Sequence, residues 1–322
     1  MNDQVKIVEV GLREGLQSLP MVIGTDSKIE IIKGLIDAGI EDIQIGSFVN
    51  PKKLPQMADT EELYRRLQPY VDKARFSGLV LNERGLERAV NCGMDRVDLS
   101  MSSSDTHSLR NVGMDLTTAR KSMEKMIKRA RSSNLYTRVG LQCVFGCAYE
   151  GEVSHKKVLG LVKWLLDMGV DAVSLADSAG MAYPTPLKHL LSEVFLFSGS
   201  KPVVIHLHDT RGLGLINLAA AFESGARIFD TSLGGLGGCP YIPGALGNLA
   251  TEDVVDYFSH EKVSTGIDIV HLFNVVDRLR YHVDRDLPGR MYKIKEVVET
   301  NHGCYSYRKI AFKESWQHGI PG

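Results

Sequence analysis

The sequence contains no apolar run that reaches the ~20 residues needed to cross a bilayer, no block of like charge and only five cysteines in 322 residues. Lys plus Arg is 38 and Asp plus Glu is 39, a formal net charge of −1, so no global field gathers nucleic acid or an anionic membrane surface. A polyanionic substrate would need local basic residues. The first residues, MNDQVKIV, lack the charged-then-apolar pattern of a secretory signal, and a cytoplasmic location is expected. Cys92, Cys143, Cys147, Cys239 and Cys304 are too sparse for a disulfide framework and fit a reducing compartment. Cys143 and Cys147 have a C-x3-C spacing, but no second pair completes a tetrahedral zinc site, so ordinary thiols are expected. What remains is a chain with 43% hydrophobic and 24% charged residues, long enough for one large core or two small ones.

Strand and helix patterns alternate along it. Residues 4–10 are β-type, and Asp26 is placed to cap a helix with Ile29, Ile32, Leu35 and Ile36 on one face. The unit recurs as 42–48 with 60–70, 75–81 with 83–92, 96–101 with 117–133, 136–145 with 155–168, 172–176 with 186–197, 203–208 with 214–224, and 227–233 with 251–260. Gly39, Gly93, Gly169 and Gly225 each stand where a left-handed helix cap is expected. Eight such pairs in about 260 residues predict a parallel (β/α)8 TIM barrel, with an open doubly wound sheet as the alternative. The barrel is expected over residues 1–262. Residues 263–322, with a helical pattern at 267–283, form a C-terminal helical extension that covers one end or makes a subunit contact.

In such a barrel chemistry sits at the C-terminal ends of the strands. His206 and His208 share a face of the seventh strand, because side chains alternate, and form either half of a divalent-metal site or a core pair. Arg13 and Glu14 follow the first strand between glycines. Asp177 ends the sixth, either as a helix-side cap or as a carboxylate aimed into the mouth. The eighth leads into a stretch, 234–248, with six glycines in fifteen residues around Cys239, which reads as a mobile active-site loop. Asn248 at its end is either a helix cap or an oxygen ligand. Glu14, His206, His208 and Asn248 together offer two oxygens and two imidazoles without a thiolate. That set favours octahedral Mg2+ or Mn2+, with Co2+ or Zn2+ as alternatives.

Five stretches, VEVGLREGLQ, SFVNPKKLPQM, GCAYEG, HLHDT and above all GGLGGCPYIPGALGNLATED, resemble 3-hydroxy-3-methylglutaryl-CoA lyase, within the metal-dependent TIM-barrel lyases and condensing enzymes. The resemblance runs from about Val5 to Asp253. It implies metal ligands at Glu14, His206, His208 and Asn248, a catalytic arginine at Arg13, a catalytic cysteine at Cys239, and functional carboxylates at Asp177 and Glu252. It also implies an acyl-CoA substrate, acetyl-CoA as a product, and His206 or Cys239 as the group that protonates the enolate. Gln17, Gln44, Arg211 and Glu252 are expected to contact substrate, and the chain to form a homo-oligomer, with a dimer as the leading expectation. Neither a nucleic-acid nor a membrane partner is expected.

Two positions depart from the family pattern. Glu14 stands where the lyases usually carry aspartate, as in condensing relatives. Gln44 stands where they carry a glutamate; it keeps the shape but cannot ionise, so a base or a negative charge is missing. Arg211 adds a cation that either binds an extra carboxylate or phosphate or faces solvent. A different 3-hydroxyacyl-CoA, a Claisen-type synthase using acetyl-CoA, and a non-catalytic homologue are the competing functions.

Overall fold

In a computed structural model of the chain, residues 4–238 and 247–294 are described, with the backbone of two short strands beyond them. Eight parallel strands close into a barrel in sequence order: β1 (Lys6–Glu9), β2 (Asp42–Ser47), β3 (Arg75–Val80), β4 (Arg96–Ser102), β5 (Tyr136–Gln142), β6 (Ala172–Asp177), β7 (Val203–Leu207) and β8 (Ile228–Thr231). Pairing of β1 with both β2 and β8 closes the ring, which excludes the open sheet.

Helices α1 (Thr25–Asp37), α2 (Thr60–Leu67), α3 (Glu83–Asn91), α4 (Asp105–Val112), α5 (Leu116–Ser132), α6 (His155–Asp167), α7 (Pro184–Ser198), α8 (Gly214–Glu223) and α9 (Thr251–His260) form the outer ring. Ile43, Val97, Val139, Val173, Ile205 and Phe229 point outward from the strands and are at most 1% exposed beneath them. Burying each such side chain stabilises the fold by about 1.5–3 kcal/mol.

The alternate residues point inward, and several are polar: Gln44, Asp98, Arg138, His206 and Asp230 are all buried. Register sets Asp98 beside Arg138 and His206 beside Asp230 on neighbouring strands. The usual apolar layers of such a barrel are here partly replaced by charge.

Two local expectations change. Asp26 is not a cap: Gly24, in extended conformation, precedes the first turn, and the Asp26 carboxylate pairs with Arg66 at 2.8 Å. An additional helix, α4, follows β4, capped by Ser104 accepting from the His107 amide. Gly39, Gly93, Gly169 and Gly225 all have positive φ, as expected of helix stops.

Beyond the barrel, α10 (Ile269–Val283) buries Leu272, Val275, Val276 and Leu279. It lies close against α1, since a Cβ on Gly34 would meet Val275 Cγ2 at 2.7 Å. Strand β9 (Val297–Glu299) pairs antiparallel with β10 (Tyr305–Tyr307). No helix among the described residues is long and apolar enough to cross a membrane.

Candidate active site

The end of β1 enters a single π-helical turn, Gly11–Gly15, which carries Arg13 and Glu14 over the barrel mouth. Glu9 anchors that turn from below. Fully buried, it accepts hydrogen bonds from the Gly11 amide at 2.7 Å, the Leu233 amide at 2.9 Å and the Thr251 hydroxyl at 2.6 Å. Burial pushes its carboxyl up to about 7 despite these donors. Sequence reasoning gave Glu9 no role; its only visible signal was a carboxylate at the end of an apolar strand.

Glu14 Oε1 lies 3.6 Å from His206 Nε2 and 3.4 Å from His208 Nε2, and the two imidazole nitrogens are 3.1 Å apart. Three donor atoms at this spacing match what neighbouring ligands of one ion span, about 3.0 Å for octahedral bonds of about 2.1 Å. Burial would raise the Glu14 carboxyl, but Arg13 and then His206 beside it hold it well below its usual range. Burial works against a charged His206 ring; Glu14 and Asp230 outweigh it and raise the ring to about 9. The cluster therefore holds a proton where a cation could sit.

His206 Nδ1 faces Asp230 Oδ2 at 3.2 Å, so the ring donates there and turns Nε2 to Glu14 and His208; loss of the Nε2 proton would bare the lone pair that a cation needs. Asp230 is itself held by Arg138, whose guanidinium keeps its carboxyl low against the effect of burial. Sequence reasoning missed Asp230 as well.

Asn248 reaches the cluster because residues 247–249 run beside the ends of β7 and β8. The Asp209 amide donates to Gly247 O at 3.1 Å and the Leu249 amide to Leu207 O at 3.2 Å. The side-chain amide donates to Leu236 O at 3.2 Å, while Oδ1 is buried with no hydrogen-bond partner among the described residues. An orphaned buried carbonyl oxygen on a residue bridged through the backbone to His208 suits a cation and is costly without one. The cap reading fails, since Ala250 occupies the cap position of α9. A Cβ on Gly237, at φ +130°, would strike Asn248 Nδ2 at 2.5 Å, so only glycine fits there.

Arg13 lies beside this cluster. Its Nη2 pairs with Glu14 Oε2 at 2.9 Å, and its Nε donates to Gln44 Oε1. The same cavity is lined by Ser100, Gln142, Ser174 and Ser178.

The remaining expected site residues make the following contacts. Asp177 is fully buried and accepts from the Met181 and Ala182 amides at 2.7 and 3.0 Å, shaping the loop after β6. Burial nonetheless raises its carboxyl above the usual value. Arg211 is exposed and donates to Gly180 O at 2.5 Å, tying the β6 and β7 loops together. Glu252, fully buried, accepts from the Gly234 amide at 3.0 Å, and burial with Asp253 nearby raises it to about 8. Gln17 is half-buried just beyond the π-helical turn. Cys239 lies outside the described residues. Cys143 and Cys147 are buried, and no cysteine joins a metal-ligand cluster among the described residues.

Comparison with known proteins agrees with this arrangement. The HMGL-like family model matches residues 4–278. The chain is 34% identical over 294 residues to the hydroxymethylglutaryl-CoA lyase YngG of Bacillus subtilis, covering 90% of this chain and 97% of that protein. It is 37% identical over 306 residues to the (R)-citramalyl-CoA lyase of Chloroflexus aurantiacus, covering 92% and 96%. A solved HMG-CoA lyase from Acinetobacter baumannii, in complex with coenzyme A and 3-methylmalate, superposes with a TM-score of 0.86 at 34% identity, covering 100% of this chain and 99% of that one. The named relatives cleave carbon–carbon bonds, and the family implies a divalent metal. The chain belongs to the HMGL-like family and is a carbon–carbon lyase.

Proposed function

We propose that this enzyme cleaves the C2–C3 bond of 3-hydroxy-3-methylglutaryl-CoA, giving acetoacetate and acetyl-CoA. The observation that carries the reading is the convergence of Glu14 Oε1, His206 Nε2 and His208 Nε2 within 3.6 Å of one another, beside the Arg13 guanidinium. The coenzyme A seen with the solved relative supports a thioester substrate. Glu14, His206, His208 and Asn248 would hold a divalent cation, Mg2+ or Mn2+ by donor chemistry and Co2+ or Zn2+ as alternatives, which would supply a Lewis acid for the substrate hydroxyl.

The side chains do the rest. Once the hydroxyl has lost its proton, the C2–C3 electrons move onto C2 and the thioester carbonyl, and charge gathers there as an enolate. Arg13, permanently cationic, has two nitrogens engaged by Gln44 and Glu14, which fixes the plane of its guanidinium. Its Nη1 is then positioned to donate to the enolate oxygen. Because His206 is occupied by Asp230 on one nitrogen and faces Glu14 and His208 with the other, protonation of C2 falls to Cys239 on the glycine-rich loop. Gln44 cannot ionise, so the hydroxyl proton passes to Asp177, each of whose oxygens keeps a second lone pair beside the one amide it accepts from and whose carboxyl burial raises above its usual value.

A second reading, a lyase for a citramalyl thioester, is favoured by one observation. The citramalyl-CoA lyase relative is as similar to this chain as the hydroxymethylglutaryl-CoA lyases are, while Gln44 departs from their pattern. Measuring kcat/KM for both thioesters with Mn2+ decides between them. Acetoacetate at the higher kcat/KM supports the first reading; no acetoacetate at high enzyme concentration, with turnover of the citramalyl thioester, replaces it with the second.

A further inference from the structure

Between the catalytic mouth and a separate cavity at the opposite end of the barrel lies a layer of charged side chains, of which Asp98 and Arg138 line both spaces. Asp98, 6% exposed, is its hub. Its Oδ1 accepts from Arg138 Nε at 2.6 Å; its Oδ2 accepts from the Ser77 hydroxyl at 2.6 Å and from Gln44 Nε2. Two arms leave this carboxylate. One runs through Gln44 to Arg13 Nε. The other runs through Arg138 Nη1 to Asp230 Oδ1 at 2.6 Å and on to His206 Nδ1. Both arms end on residues that face Glu14, so the contacts form a closed ring.

We propose that Asp98 is a positioning residue for the reaction: through Gln44 it sets the Arg13 guanidinium, and through Arg138 and Asp230 it sets the His206 ring. Residue 44 is neutral because the carboxylate of this layer stands at position 98. The proposal rests on the function proposed above and adds to it the residue that aligns the anion stabiliser with the metal ligand.

The chemistry of the contacts carries it. An amide accepts at oxygen and donates at nitrogen, so Gln44 can satisfy Arg13 and Asp98 at once. A glutamate at position 44 would place two buried carboxylates in direct contact, and one would have to protonate or swing away, taking Arg13 with it. The ring holds two guanidiniums, Arg13 and Arg138, against three carboxylates, Glu14, Asp98 and Asp230. Gln44→Glu adds a negative charge and Asp98→Asn removes one. The double variant restores the total: the amide introduced at position 98 donates to the carboxylate introduced at position 44, and its carbonyl accepts from Arg138. Residues in one hydrogen-bonded network couple strongly, so the double should not be the sum of the singles.

The test is this cycle in the full chain, measured as kcat and KM with the thioester, as Mn2+ affinity and as thermal midpoint. Each single variant should lose about tenfold or more in kcat with KM within about threefold, bind Mn2+ about tenfold more weakly, and melt lower. The double should recover most of all three. A double no better than the worse single overturns the proposal. So does a pattern in which only the thermal midpoint moves, since that marks a purely structural ring. Should Asp98→Asn not fold, Gln44→Met, which leaves Asp98 paired with Arg138 and Ser77, takes its place: a loss of about tenfold in kcat supports the proposal and an unchanged kcat overturns it. If the wild type turns over no thioester, the proposed function fails, while the Mn2+ and thermal cycles still decide the role of Asp98.

Discussion

Replacing Asp230 with asparagine separates the orientation of a metal ligand from its presence. Asp230 is 5% exposed; one oxygen accepts from Arg138 at 2.6 Å and the other lies 3.2 Å from His206 Nδ1. A carboxylate can only accept, which in the neutral ring fixes the proton on Nδ1 and the lone pair on Nε2, where Glu14 and His208 converge. Asparagine can present its NH2 to Nδ1 instead, moving the ring proton to Nε2 and blocking that donor. Loss of such an outer partner weakens metal binding by about 10–100-fold, or roughly 1.4–2.7 kcal/mol. Calorimetric titration of Mn2+ into the metal-free variant and wild type reads this directly. Glu14, His208 and Asn248 remain, so saturating Mn2+ should restore much of kcat. An Mn2+ affinity equal to that of the wild type would show that Asp230 does not orient His206 and would refute the reasoning.

Other outcomes follow from the same contacts. In the metal-free protein His206 titrates near 9 rather than 6.5, so its stabilisation is complete below about 6.5 and is lost as pH rises through about 9. The thermal midpoint of the metal-free form should therefore fall across that window, and Mn2+ affinity should rise with pH as the ring gives up its proton; a pH-independent affinity would contradict this. Glu252, raised from 4.5 to about 8, keeps its proton in the fold, so stability should fall as pH climbs from about 4.5 through 8. With Mn2+ bound to silence His206, Glu252→Gln should flatten that fall; equal slopes would show that Glu252 is ionised in the fold. Cys239→Ser should lower turnover by about 10²-fold or more with no change in thermal midpoint. Unchanged turnover removes the loop thiol from the chemistry.

The barrel was legible because eight apolar strands alternate with amphipathic helices and because glycines mark the helix ends. The histidine pair was legible from strand alternation alone. Asn248, forty residues away, was joined to it only through resemblance, since nothing local shows that residues 247–249 fold back along β7. Asp98, Arg138 and Asp230 were invisible for a different reason. In RVDLSM and YTRVGLQ the polar alternate residues read as an ordinary solvated face, and only closure of the sheet turns that face inward. For the same reason Gln44 looked like a lost negative charge, whereas the structure places the Asp98 carboxylate one contact further out. Asp177 and Glu252 could not be told from sequence to shape loops as well: Asp177 takes a loop amide on each oxygen, and Glu252 takes one on Oε2 while its Oε1 is buried with no hydrogen-bond partner among the described residues.

The most direct test of the central claim is product analysis. Metal-free enzyme supplied with Mn2+ and 3-hydroxy-3-methylglutaryl-CoA should yield acetoacetate and acetyl-CoA in equal amounts. Chelator, or His208→Ala in a folded variant, should abolish both products. Undiminished cleavage in the presence of chelator, or no cleavage of this thioester at all, would contradict the account.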